Sequence, residues 1–201
     1  MLLSGLLNPL DHYMSIIMRA LFLPLSLILC CLLFSAVALA QSSPLDSLLA
    51  TMGLDLVQPL DSDYKDYQAK NNPFFRCDYA IRSRREDMEI RYAIRPYQTG
   101  SPTTQHPNLT VFSALSSAAT NEEEAIIAQI AIPKKELQEV FGADWGKLYQ
   151  FTPKPGFSSA PFGRLLGLYK EEVGLVLIFF LFEDPNNPAI DLRYPAVYFN
   201  E

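Results

Sequence analysis

Residues Phe75 to Tyr97 read FRCDYAIRSRREDMEIRYAIRPY, two alternating runs separated by a charged tetrad. Strict apolar–polar alternation is the mark of a half-buried strand. Cys77, Tyr79 and Ile81 share one face of the first run, and Met88, Ile90, Tyr92 and Ile94 share one face of the second. Arg84-Arg85-Glu86-Asp87 is too polar to be buried and forms the connection. With the turn centred between Arg85 and Glu86, antiparallel pairing sets Tyr79 opposite Tyr92, Ile81 opposite Ile90 and Cys77 opposite Ile94. On the other face Arg82 meets Glu89 and Asp78 meets Ala93. One register thus satisfies both faces, and a slip of one residue would scramble both. Pro96 ends the second strand by removing a ladder donor.

Working outward, the loop Tyr97–Asn108 is rich in Thr, Pro and Gln. Pro107 fits the first position of a helix from Asn108 toward Ala119, with a strand starting at Leu109 as the alternative. Thr120, followed by Glu122, Glu123 and Glu124, reads as an N-cap with acids at a positive helix end, so a short helix is expected over Ala125–Ile132. A second helix is expected over Lys134–Phe141, with Gly142 as its stop. Leu148–Thr152 reads as a strand.

A second hairpin follows, with arms Arg164–Lys170 and Leu175–Phe182. The latter, LVLIFFLF, has no polar alternation. It is expected in the middle of a sheet, buried on both faces. Ala189–Phe199 closes the domain as a short helix or turn and a last strand. Together these predict an α+β fold. Its antiparallel sheet has about five strands, built from two hairpins (about 75–97 and 163–183), with two or three short helices in a sandwich-like α/β/α arrangement.

The chain has 201 residues, 49% of them apolar and 19% charged, so one folded domain is the expectation. Ala20–Ala38 is an uncharged apolar run after Arg19, closed by Ala38-Leu39-Ala40 before Gln41. That pattern predicts a secretory signal peptide over residues 1–40, with the start at Met14 or Met18 an option because residues 1–13 carry Asp11 and no Lys or Arg. The alternative is an uncleaved membrane anchor, the one route by which a membrane enters this reading. Residues 41–60 are expected to be a linker with a short helix from Ser43 to Met52, and residues 61–201 the single domain. The expected location is therefore periplasmic or secreted.

Removing residues 1–40 takes away one acid and one base, so the net charge stays at −6. Such a chain lacks the basic footprint that nucleic-acid binding requires. Cys30 and Cys31 leave with the signal, and Cys77 alone predicts a buried thiol and no internal disulfide.

The catalytic inventory is thin. His106 is the sole histidine after residue 40, and Asp144 is the one acid that would serve it as an acid–base partner in a hydrolase. No zinc or calcium spacing and no phosphate-cradling Gly-rich loop is present, so neither metal nor cofactor is expected. Two constellations remain. Gly142-Ala143-Asp144-Trp145-Gly146 is a helix stop pinned by an aromatic plug, or a ligand platform built on Asp144 and Trp145. The outward hairpin face carries Arg76, Arg82, Arg91 and Arg95, with Arg84 and Arg85 at the tip, and reads as a solvated, self-paired surface or as an anion site on Arg82, Arg91 and Arg95.

The segments Asp78-Tyr79-Ala80-Ile81-Arg82, Glu89-Ile90-Arg91-Tyr92 and Gly142-Ala143-Asp144-Trp145-Gly146, with the following hairpin, resemble a family of small, uncharacterised secreted bacterial proteins over roughly residues 54–199. The order of hairpin, helices and second hairpin is also similar to Mog1/PsbP-like α/β/α sandwiches. That likeness implies a binding or assembly role, not a reaction, and transfers no site residues. The expected function is an exported, non-catalytic domain that binds a protein or a small ligand.

Overall fold

The strand Gly174–Phe182 is buried at all nine positions and lies at the centre of the main sheet. The computed structural model describes residues 44–69, 72, 75–122 and 127–200. The expected signal peptide and its cleavage point lie outside the described residues. No helix among the described residues is long and apolar enough to cross a membrane.

In chain order the elements are α1 (Pro44–Thr51), β1 (Leu54–Leu56), β2 (Lys65–Asp66), β3 (Tyr79–Ser83), β4 (Met88–Pro96), α2 (Pro102–Gln105), α3 (Pro107–Ala118), β5 (Ile127–Ile130), α4 (Lys134–Glu139), β6 (Trp145–Phe151), β7 (Phe162–Lys170), β8 (Gly174–Phe182), α5 (Ala189–Arg193), a 3-10 turn (Tyr194–Ala196) and β9 (Val197–Phe199). Seven strands form one antiparallel sheet in the order β2-β3-β4-β8-β7-β6-β5, and β1 pairs with β9 in a separate ribbon. The α+β class holds. The sheet has seven strands rather than about five, because β2 and β5 extend it at its two edges.

The first hairpin has the expected register: Tyr79 faces Tyr92, Ile81 faces Ile90 and Arg82 faces Glu89. The Tyr79 and Tyr92 rings stack 5.9 Å apart. The pairing stops at Tyr79, short of Cys77. There the Asp78 carboxylate takes the N–H of Ile94 at 2.8 Å and the Arg95 guanidinium at 2.6 Å. The chain leaves the ladder, and Cys77 packs on the opposite face from Tyr79 and Ile81.

Each face of the sheet carries its own apolar layer. On the first, Ile81, Ile90, Tyr92, Ile178, Phe180, Leu148 and Leu166 pack under Met52, Leu137, Phe141, Ile190 and Phe199. On the second, Leu165, Leu177, Phe179 and Phe151 pack under Val111, Ala114, Leu115 and Ala118 of α3 and under Phe157. In the stretch 41–60, expected to be a linker with a short helix, the helix is α1, and the described residues pack on the domain: Met52 and Leu54 are buried, and β1 is held by β9.

The outward face of the hairpin is self-paired, through Arg91–Glu89 and Arg95–Asp78, but only part of it is solvated: Arg76 and Arg82 are exposed. Glu89 and Arg91 are buried, because Phe157 and the second-face layer cover β4. Of the helix expected over Ala125–Ile132, the first two residues lie outside the described residues, and Ile127–Ile130 form β5 instead, which pairs with β6 from Ile127↔Phe151 to Ile130↔Leu148. Ile-rich sequence beside an open sheet edge is better satisfied by ladder hydrogen bonds than by a short isolated helix. The helix favoured over the strand after Pro107 is α3. Gly142 ends α4 at φ +57°, where its N–H donates to Gln138 O and that of Ala143 to Leu137 O.

Candidate functional site

The arginines of the hairpin are largely committed to the protein. The Nε of Arg91 donates to Glu89 Oε1, and its guanidinium lies 4.6 Å from the Phe157 ring centroid. Arg95 is held by Asp78, by its own strand at Ile94 O (2.9 Å) and by Arg76 O (2.7 Å), over the Phe75 ring. Arg82 is exposed above Tyr67 and lines a charged cavity of about 670 Å³ with Asp63, Lys65, Asp66, Tyr67 and Arg84. The structure therefore does not bring Arg82, Arg91 and Arg95 to one surface.

Asp144 and Trp145 are placed as a structural corner. The Asp144 carboxylate accepts the N–H of Glu171 at 2.8 Å, its own N–H donates to Tyr169 O at 2.9 Å, and Trp145 opens β6 half-buried against the second-face layer. His106 is exposed between α2 and α3. No hydrogen bond or ion pair joins its imidazole to Asp144 among the described residues, and neither residue lines the cavities at Arg82, Glu86 or Arg164.

At the tip of the hairpin an ionic knot ties three segments. Arg193 of α5 places Nε and Nη2 on Glu86 at 3.0 and 2.5 Å, and Nη1 and Nη2 on Asp61 at 3.0 and 3.2 Å. The Tyr64 hydroxyl donates to Glu86 at 2.8 Å. Burial alone would raise the Glu86 carboxyl, but hydrogen bonds from Arg193, Ser62 and Tyr64 outweigh it and hold the group below its usual 4.5. Two-pronged pairing of this kind fixes geometry as well as charge. It serves the fold by clasping Asp61 and the hairpin tip to α5.

The site that sequence reasoning missed lies on the first face. A cleft of about 530 Å³ runs between β5, α4 and the α5–Pro195 segment. Its floor is Leu148 and Leu166, and its walls include Ile130, Ile132, Val140 and Tyr194. This volume falls within the roughly 300–1,000 Å³ of small-molecule sites.

Arg164 stands in this apolar setting. Alternation along β7 puts Phe162, Arg164, Leu166 and Leu168 on the first face, so a cation replaces what the pattern would make aliphatic. Its Nη1 donates to Tyr194 Oη at 2.5 Å and to Asp191 at 3.1 Å, and its Nε is buried without a hydrogen-bond partner among the described residues. Burial works against the guanidinium's charge, yet the Tyr194 and Asp191 contacts outweigh it and hold its pKa above the usual value. A buried donor left unpaired costs about 1–3 kcal/mol. Glu136 and Asp191 also line the cleft, so Arg164 does not make it cationic.

The sequence-level signal was Arg164 itself, a lone charge among Phe162–Leu168. The remaining lining comes from segments far apart in the chain. No family model, no curated protein and no solved structure matches this chain.

Proposed function

We propose that the chain is an exported, non-catalytic domain that binds a small, mainly apolar ligand bearing a hydrogen-bond acceptor in the cleft over Leu148 and Leu166. The observation that carries this reading is the Arg164 guanidinium in a cleft lined mainly by apolar side chains, with an Nε–H that has no acceptor among the described residues. Apolar walls supply affinity in proportion to the area they cover, and one placed polar group supplies orientation. Glu136 and Asp191 favour a neutral acceptor, such as a carbonyl, over a free anion. Export is supported by the Arg19, Ala20–Ala38 and Ala38-Leu39-Ala40 pattern.

Nile red, a neutral solvatochromic dye with a carbonyl acceptor, is the probe. Saturable one-to-one binding with blue-shifted emission is expected. Arg164→Met should weaken it about fivefold, the value of one hydrogen bond near 1 kcal/mol. Val140→Asp, at a partly exposed wall position, should abolish it. Non-saturable binding, or binding indifferent to both substitutions, refutes the assignment.

A further inference from the structure

The two edges of the main sheet are built differently. At one, β2 is a two-residue strand of Lys65 and Asp66, both exposed and charged, a short and protected edge. At the other, β5 reads Ile127-Ala128-Gln129-Ile130 with every residue exposed and no charge. Its outer row of N–H and C=O groups has no neighbouring strand among the described residues. Both apolar layers end here without a cover. Ile127 follows Phe151 on the second face and is 54% exposed, while Ile130 follows Leu148 on the first and is 37% exposed. Gln129 is turned back on its own sheet, where its Oε1 accepts from Lys147 Nζ at 3.2 Å and Tyr149 Oη at 3.3 Å.

We propose that β5 pairs antiparallel with β5 of a second copy of this chain, joining two sheets into one across a two-fold axis at Gln129. The occupant follows from charge and register. Acids precede the strand, from Glu122 onward in the sequence, and Lys134 and Lys135 open the helix that follows it, with Lys135 paired to Glu139 and Lys134 left as the cation nearest the strand. In sequence order an antiparallel copy runs the acid-preceded end of each strand toward the end followed by Lys134 in the other, whereas a parallel copy would run the two acid-preceded ends together. The strands themselves are uncharged, so two chains of net charge −6 meet there without like charges in the ladder.

Register is restricted because both apolar layers continue only if paired residues point to the same face. Centring on Gln129 satisfies this. Gln129 meets its own counterpart, and Ile130 meets the second copy's Ala128, a large side chain beside a small one. The interface is isologous and closes at two copies.

The test is the mass of the protein, purified as it accumulates on expression of the full chain, by sedimentation equilibrium across micromolar concentrations. A concentration-dependent doubling of mass is expected. Gln129→Lys should give a monomer, because two ammonium groups then meet across the axis. Gln129→Glu should do the same, and an equimolar mixture of the two variants should restore a heterodimer. Ile127→Lys, at an exposed position, should also give a monomer with an unchanged circular dichroism spectrum. A wild-type monomer throughout, a dimer that survives these substitutions, or a charge-swapped mixture that stays monomeric would each overturn the proposal. None of these outcomes depends on the ligand cleft, which is probed separately through Arg164.

Discussion

Glu89 and Arg91 lie two residues apart on β4, point into the same covered layer, and neutralise one another beneath Phe157. Losing one partner leaves the other as an uncompensated buried charge, which costs about 3–5 kcal/mol. Arg91→Met is therefore expected to lower stability by about 3 kcal/mol. Adding Glu89→Leu to it should recover a large part of that loss. Urea unfolding of the two variants checks this, and a double variant no more stable than the single one would show that the pair adds more than mutual neutralisation.

The Glu86 carboxyl is held below 4.5 in the folded chain. A carboxyl depressed on folding contributes stability that is present above its unfolded pKa and lost as pH falls through the folded one. Stability is expected to fall as pH drops below about 4.5. Glu86→Gln should be less stable than the wild type at pH 7 and should show a shallower decline into acid. Urea midpoints at pH 7, 4.5 and 3 test the sign, and parallel profiles for the two proteins would remove Glu86 as the cause.

Burial, only partly offset by Arg91 and Arg95, pushes the Cys77 thiol up to about 11. Since the thiolate is the reactive form, alkylation of the folded protein at pH 8 should run about two orders of magnitude slower than that of a free thiol. Reactivity should rise as pH approaches 11. Rapid labelling by iodoacetamide at pH 8 would show that the Phe75–Asp78 segment opens readily.

Gly142 adopts φ +57°, and a Cβ there would sit 2.4 Å from the carbonyl oxygen of Phe199. That oxygen is backbone and moves only if β9 moves. Gly142→Ala is expected to cost about 2 kcal/mol or more, combining left-handed strain near 1 kcal/mol with the displaced ribbon. A thermal midpoint within a degree of wild type would contradict it.

What the sequence made legible follows from how local each signal is. Tyr79, Ile81, Ile90 and Tyr92 alternate over consecutive residues, so the first hairpin and its register could be read directly, as could the all-buried Leu175–Phe182 run. β5 could not be read, because Thr120 and the acids after it mimic a helix start, and only the open edge of β6 turns the following isoleucines into a strand. β1 and β2 are two or three residues long, below any periodicity. Glu89 and Arg91 look like a wet face in sequence, and they are dry because Phe157, more than sixty residues away, lies over them. The cleft is assembled from β5, α4, β7 and the Asp191–Pro195 segment, and its sole local trace was the charge at Arg164.

The β1–β9 ribbon joins Leu54 to Phe199 and Leu56 to Val197, and Asn200 N–H donates to Gly53 O at 2.7 Å. A chain emerging amino end first, from a ribosome or from a pore, has no partner for Leu54–Leu56 until Val197–Phe199 arrive. Met52, Leu54 and the first-face layer beneath them stay open to other greasy surfaces for all of that time. Closure of the ribbon thus waits for residues far downstream in the chain, and truncation before Val197 should do far more harm than the size of β9 suggests.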